Sequence, residues 1–229
     1  MKEKQGERFF LVMGVLLLAI VIAGFVPPVL ARPGGVASIP LLIHVHGAVF
    51  VSWFLLFCAQ AYLAGSGNIR LHMRLGSLSV LFAAAMIVLA YFVIRGAYAN
   101  PTFSIGGMSK AASVMFPFTD MVNFTVAYSL ALLYRRNPTA HKRLMLLAGI
   151  LIIDPAAARL AITLGAPMPA IVIFELALFA ALIVYDLKTR RRPSWASLLG
   201  LGLFVLAMVM KLAVAPQPAW SSFVELVFA

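Results

Sequence analysis

Long apolar stretches are what most restrict the folds open to this chain. A helix needs about 20 apolar residues to cross the hydrocarbon core of a bilayer. Seven segments meet or approach that length: 9–30, 39–64, 75–94, 111–134, 144–164, 169–185 and 194–215. Of the 229 residues 63% are hydrophobic and only 11% charged, with a mean hydropathy of +1.03, whereas soluble domains carry about 25% charged residues. The expected fold class is therefore all-α, a polytopic seven-helix transmembrane bundle making one domain over 1–229. Residues 216–229 are too short to span and are expected in the bilayer interface, with Trp220 at headgroup depth. The first run exceeds the roughly 7–15 residues of a signal h-region and lacks an A-x-A-like exit before Arg32, so it reads as a retained span.

A net charge of +11 on a soluble domain would suggest nucleic acid. Here the basic residues fall in short clusters between apolar runs, so the expected partner is the lipid bilayer and not nucleic acid. Lys2, Lys4, Arg8, Arg70, Arg74, Arg135, Arg136, Lys142, Arg143, Lys188, Arg190, Arg191 and Arg192 fall on the N-terminal side, and Arg32, Arg95 and Lys110 on the other. Lys and Arg concentrate on the cytoplasmic face, which predicts a cytoplasmic N-terminus. Cys58, the only cysteine, lies inside an apolar run and reads as packing. The turns at Gly65-Ser66-Gly67-Asn68, Arg136-Asn137-Pro138 and Arg192-Pro193 suit tight hairpins. The longest link, 96–110, reads as a mobile lid.

Two of those turns carry a shared pattern. His72-Met73-Arg74-Leu75 and His141-Lys142-Arg143-Leu144 both read H-x-R-L at the start of a helix leaving the N-terminal side, which suggests duplicated hairpins. A b-type haem is gripped by two neutral imidazoles from different helices at one depth, with cations at the membrane edge meeting its propionates. His72 and His141 suit the axial positions as metal ligands, and Arg70, Arg74, Lys142 and Arg143 the propionates. The competing reading makes each histidine an interfacial anchor hydrogen-bonded to a loop carbonyl or a headgroup. His44 and His46 are two apart and point about 200° from each other on a helix. Of these, His46 is the one expected to face inward, because His46, Trp53 and Gln60 recur every seven residues.

Ionisable groups inside the spans are a second signal, since each costs roughly 2.5–3.5 kcal/mol at the bilayer centre and normally faces the bundle interior. Asp120 and Asp154 fall near mid-membrane, and Glu175, Arg159, Lys211 and His46 in the half away from the N-terminus; Asn123 shares the Asp120 face. Pro117 and Pro155 would free backbone carbonyls beside both aspartates. These residues suit a polar chamber for proton handling, a small amphipathic ligand, or acid–base chemistry on a lipid-soluble substrate. In that chamber Asp120 or Asp154 would accept a proton and Lys211 or Arg159 would meet an anion. They equally suit interhelical pairs, Asp154 with Lys211 for example, worth about 1 kcal/mol each. A retinal protein is not expected, because Lys211 lies only five residues before Pro216.

The stretch LHMRLG at 71–76, with His46, Trp53 and Gln60 upstream, then Phe118-Thr119-Asp120 and HKRLMLL at 141–147, resembles a widespread family of bacterial multi-pass membrane proteins. The HKRLM helix start is also similar to small membrane proteins that assist assembly of haem-copper oxidases. The resemblance covers roughly residues 40–160. It implies His46, His72 and His141 as the matching histidines, haem b or copper as cofactor, and the bacterial inner membrane as location. The expected function is haem binding or handling in a respiratory or oxidase-assembly context, with a respiratory complex or a second copy of the chain as partner. The alternatives are a membrane enzyme or carrier acting on a small lipid-soluble molecule in the chamber, and a structural subunit of a larger complex that packs through Ala83-Ala84-Ala85.

Overall fold

A helix satisfies its own backbone, which is why an apolar chain of this kind folds almost wholly as helix. The computed structural model describes residues 2–229, with side chains from Arg8 onward. Lys2 and Lys4, counted in the basic N-terminal flank, lie outside the described side chains. The elements are α1 (Lys2–Leu30), α2 (Leu41–Gly65), α3 (Ile69–Ala99), α4 (Lys110–Leu133), α5 (Pro138–Ile150), α6 (Asp154–Thr163), α7 (Pro169–Arg190), α8 (Trp195–Val209), which runs into a π-helical turn (Met210–Val214), and α9 (Pro218–Phe228). Among the described residues there is no strand.

Six helices, α1 to α4, α7, and α8 with its π-turn, are long and apolar enough to cross a membrane. The pair α5 and α6, bent by 45° at a short break, makes a seventh if it is one span. The chain is a multi-pass membrane protein by this measure. The break has a local cause: Pro155 has no N–H for the Leu151 carbonyl and its ring crowds that oxygen. The helix therefore stops at Ile150 and restarts at Asp154.

Both H-x-R-L helices begin six residues before the apolar runs do, at Ile69 and Pro138. The reason is capping: Asn68 Oδ1 accepts the Leu71 N–H (3.3 Å) and Asn137 Oδ1 accepts the Ala140 N–H (3.2 Å). His72, Arg74, His141 and Arg143 thereby sit in the first turns of helices and not in loops.

The main core joins α1, α2, α4, α5 and α7 through Leu17, Trp53, Phe54, Phe124, Leu147 and Phe179. The α1 and α6 backbones come close at Gly24, where an added Cβ would stand 2.3 Å from the Ala156 carbonyl oxygen. A second cluster, with Ile94, Val114, Met115 and Val224, ties α9 to α3 and α4. Trp220, expected at headgroup depth, is buried in that cluster and its Nε1–H donates to the Ala111 carbonyl at 2.8 Å. The 96–110 link, expected as a lid, is tied down: Phe103 and Met108 pack on the same cluster and the Ile105 N–H donates to Ser113 Oγ at 2.9 Å. In the small-residue patch Ala83 is buried inside the bundle while Ala84 faces outward. Cys58 is a free thiol at the α1–α2 contact, close to Gly14.

Candidate functional site

Two separate groups of polar side chains lie in the bundle, and the first is the histidine pair. His72 and His141 each stand four residues after a capping asparagine, with backbone N–H groups bonded to Asn68 O (3.0 Å) and Asn137 O (2.9 Å). Each imidazole reaches back across its hairpin to the preceding helix. Nδ1 of His72 meets the Gln60 carbonyl at 3.3 Å, and Nδ1 of His141 meets the Ala131 carbonyl at 2.8 Å. Gln60 answers by donating Nε2–H to the His72 carbonyl at 3.0 Å.

A carbonyl only accepts, so each Nδ1 carries a proton and Nε2 is the nitrogen left to meet a ligand. The ring centroids are 6.5 Å apart and the planes cross at 88°. One metal held by two imidazole nitrogens at about 2.0–2.1 Å each places the centroids roughly 6 Å apart. The separation suits two ligands to a single centre. Among the described residues no group of three or more His, Cys, Asp or Glu side chains could hold a metal, so any centre here rests on these two imidazoles.

The other residues expected beside a haem divide. Arg74 and Arg70 are exposed and free to meet an anion at the membrane edge. Arg143 is buried and committed elsewhere: its Nε–H donates to Asp186 Oδ1 at 2.7 Å, Nη2–H meets the same oxygen more closely still, and Nη1–H donates to the Thr139 carbonyl at 2.8 Å. His46 lies far from the pair on α2; its ring packs on Phe50 at 4.2 Å and its Nδ1 is buried without a partner. His44 Nε2 meets the Val36 carbonyl at 3.1 Å.

The second group gathers four of the six ionisable residues expected in the chamber, without His46 and Arg159. Lys211, in the π-turn, bonds Asp154 Oδ2 at 2.6 Å and stands 3.8 Å from Asp120 Oδ1 and 4.8 Å above the Phe116 ring. Glu175 of α7 is buried within electrostatic reach of Asp120, Asp154 and Lys211. Asp120 is 8% exposed, and its Oδ2 is buried with no hydrogen-bond partner. Asn123 is buried on the same helix. Arg159 does not join. It is exposed beside the end of α1, over the Phe25 ring at 4.6 Å with Nη1–H donating to the Pro155 carbonyl, and lines a groove with Pro27, Pro28, Ala31, Ile162 and Thr163.

No protein family, curated protein or solved structure matches the chain. What the two groups can do must be read from their geometry.

Sequence reasoning missed two features. The duplicated start is longer than H-x-R-L: with its capping residue it reads N-x-x-x-H-x-R-L from Asn68 and from Asn137, a signal present in the text. It also missed Asp186, 0% exposed, whose Oδ2 accepts the Ser194 N–H (2.8 Å) and the Ser197 hydroxyl (2.7 Å). Asp186 is the lone acid just ahead of Lys188 and Arg190 to Arg192.

Proposed function

We propose that the chain is a seven-span protein of the bacterial inner membrane, with a cytoplasmic N-terminus, that binds haem b and handles it in a respiratory or oxidase-assembly context. His72 and His141 would hold its iron. The observation that carries this reading is the ring pair, 6.5 Å apart, with both Nδ1 atoms bonded to carbonyls. A backbone carbonyl bonded to the far nitrogen of an imidazole is the usual outer partner of a metal-ligating histidine. The excess of basic residues on the N-terminal side supports the orientation, and the bent α5–α6 pair supplies the seventh span.

Haem iron supplies one-electron chemistry when bound. The Gln60 and Ala131 carbonyls hold the proton on Nδ1 and orient the two rings, and exposed Arg70 and Arg74 would meet the propionates. Arg143 holds Asp186 and takes no part. The test is an absorption spectrum of protein expressed with haem precursor and purified in detergent. A Soret band that is lost in His72→Ala and in His141→Ala, and kept in His46→Ala, is the expected result. Colourless protein that stays monodisperse overturns the reading.

A further inference from the structure

The second cluster is unbalanced in charge. Asp120 and Asp154 face a single base, Lys211, and Glu175 is buried in the neighbouring α7, in segments where an uncompensated charge costs roughly 2.5–3.5 kcal/mol on insertion scales. Lys211 and Asp154, bonded at 2.6 Å, neutralise each other. Asp120 and Glu175 are left without a counter-ion of their own.

Among the described residues nothing else nearby supplies one. Arg159, on the same helix as Asp154, turns away to Phe25 and lies within electrostatic reach of His46. On the other elements packed against α4, Glu225 of α9 is exposed, and His141, Lys142 and Arg143 stand at the end of α5 away from the break. Asp120 offers one oxygen to Lys211 at 3.8 Å and keeps the other buried and unbonded.

The backbone around the cluster is irregular in two places at once. Asp154 opens α6 at the break, where Pro155 leaves the Leu151 carbonyl without its usual donor. Lys211 sits in a π-turn, and π-turns within helices are frequent at functional sites. Broken membrane helices of this kind supply carbonyls and side chains to small cations.

We propose that Asp120, Glu175, Asp154 and Lys211 form a proton-and-cation exchange site. Asp120 and Glu175 hold protons beside the fixed Lys211–Asp154 pair. A small monovalent metal cation that enters is met by Asp120 Oδ2, and the proton it displaces passes to bulk water. The charge of the site is unchanged by the exchange, which is what a low-dielectric surrounding requires. The inference is independent of haem.

The full chain in detergent, weakly buffered near neutral pH with an indicator dye, tests it. Adding sodium or potassium chloride releases protons saturably, and choline chloride at equal ionic strength does not. Asp120→Asn and Glu175→Gln, nearly isosteric and leaving the Lys211–Asp154 pair intact, each remove the saturable part. As a check that needs no variant, the infrared spectrum of the unaltered protein carries a protonated-carboxyl band that falls as either salt is added. The proposal is overturned by release no greater than with choline, by equal release from both variants, or by the absence of that band.

Discussion

Removing the Asp186 carboxylate is the most exposed prediction of this fold. Asp186 and Arg143 are 0% and 2% exposed, and the carboxylate accepts from the guanidinium, the Ser194 N–H and the Ser197 hydroxyl. The guanidinium lies near the Phe10 and Tyr185 rings, 6.0 and 5.5 Å from their centroids, with no water-facing route for its charge. In Asp186→Ala a buried cation and two orphaned donors remain, and breaking a buried pair in this way costs about 3–5 kcal/mol. Asp186→Asn keeps the shape but loses the charge, so it falls lower, at roughly the 1.5–3 kcal/mol of hydrogen bonds to a charged group. Replacing both partners, Arg143→Met with Asp186→Leu, leaves no stranded charge, and such exchanges are often neutral or stabilise by about 1–4 kcal/mol. Reversible unfolding in mixed detergent micelles, run as a double-mutant cycle, measures all three. A cost for Asp186→Ala within the ~1 kcal/mol of an exposed ion pair, or a double variant as damaged as the sum of its singles, would refute the reasoning.

Two further outcomes use the same assay. Gly24→Ala puts a Cβ 2.3 Å from the Ala156 carbonyl oxygen, a backbone atom that cannot swing aside, so it costs about 1–3 kcal/mol; Gly47→Ala, with nothing within 4 Å, is neutral or gains up to about 1 kcal/mol. Lys211→Met strands the Asp154 carboxylate inside the bundle and costs about 3–5 kcal/mol, and adding Asp154→Asn recovers part of it; a neutral Lys211→Met would mean that the 2.6 Å pair is not holding α6 to the last span.

How much of this could be read from the amino acids depends on the range of the interaction. Apolar length is a local property, so the membrane-crossing helices were legible, and so was the pairing of Asp154 with Lys211, since few membrane bases exist for an acid to meet. Helix starts were harder because apolarity says nothing about polar first turns; Asn68 and Asn137 were the signal. The break before Asp154 was half visible in Pro155, but whether a proline kinks or interrupts a helix is decided by what packs beside it. The π-turn at Lys211 has no signature in composition. The choice made by Arg143 was hidden for a different reason: Asp186 is 43 residues away, and only the folded chain brings the basic turn of α5 against α7. Arg159 misled because depth in a span was read without the direction of the side chain.

The two ends of the bundle are built on opposite principles. At the N-terminal side every hairpin is tied by side chains: His72 to the Gln60 carbonyl, His141 to the Ala131 carbonyl, and Asp186 to Ser194 and Ser197 across the third turn. Arg143 then joins the second hairpin to the third. In the duplicated pattern its counterpart, Arg74, is exposed and left out of that network, so one copy of the motif serves the scaffold and the other keeps a cation at the surface. Toward the other end the same helices lose regularity, at the break before Asp154 and in the π-turn at Lys211, and there the unpaired carboxyl oxygen of Asp120 is found. A bundle pinned at one end and irregular at the other concentrates any opening motion where its charge is least balanced, because hydrogen-bonded turns resist displacement while a helix already short of backbone bonds gives up little by moving.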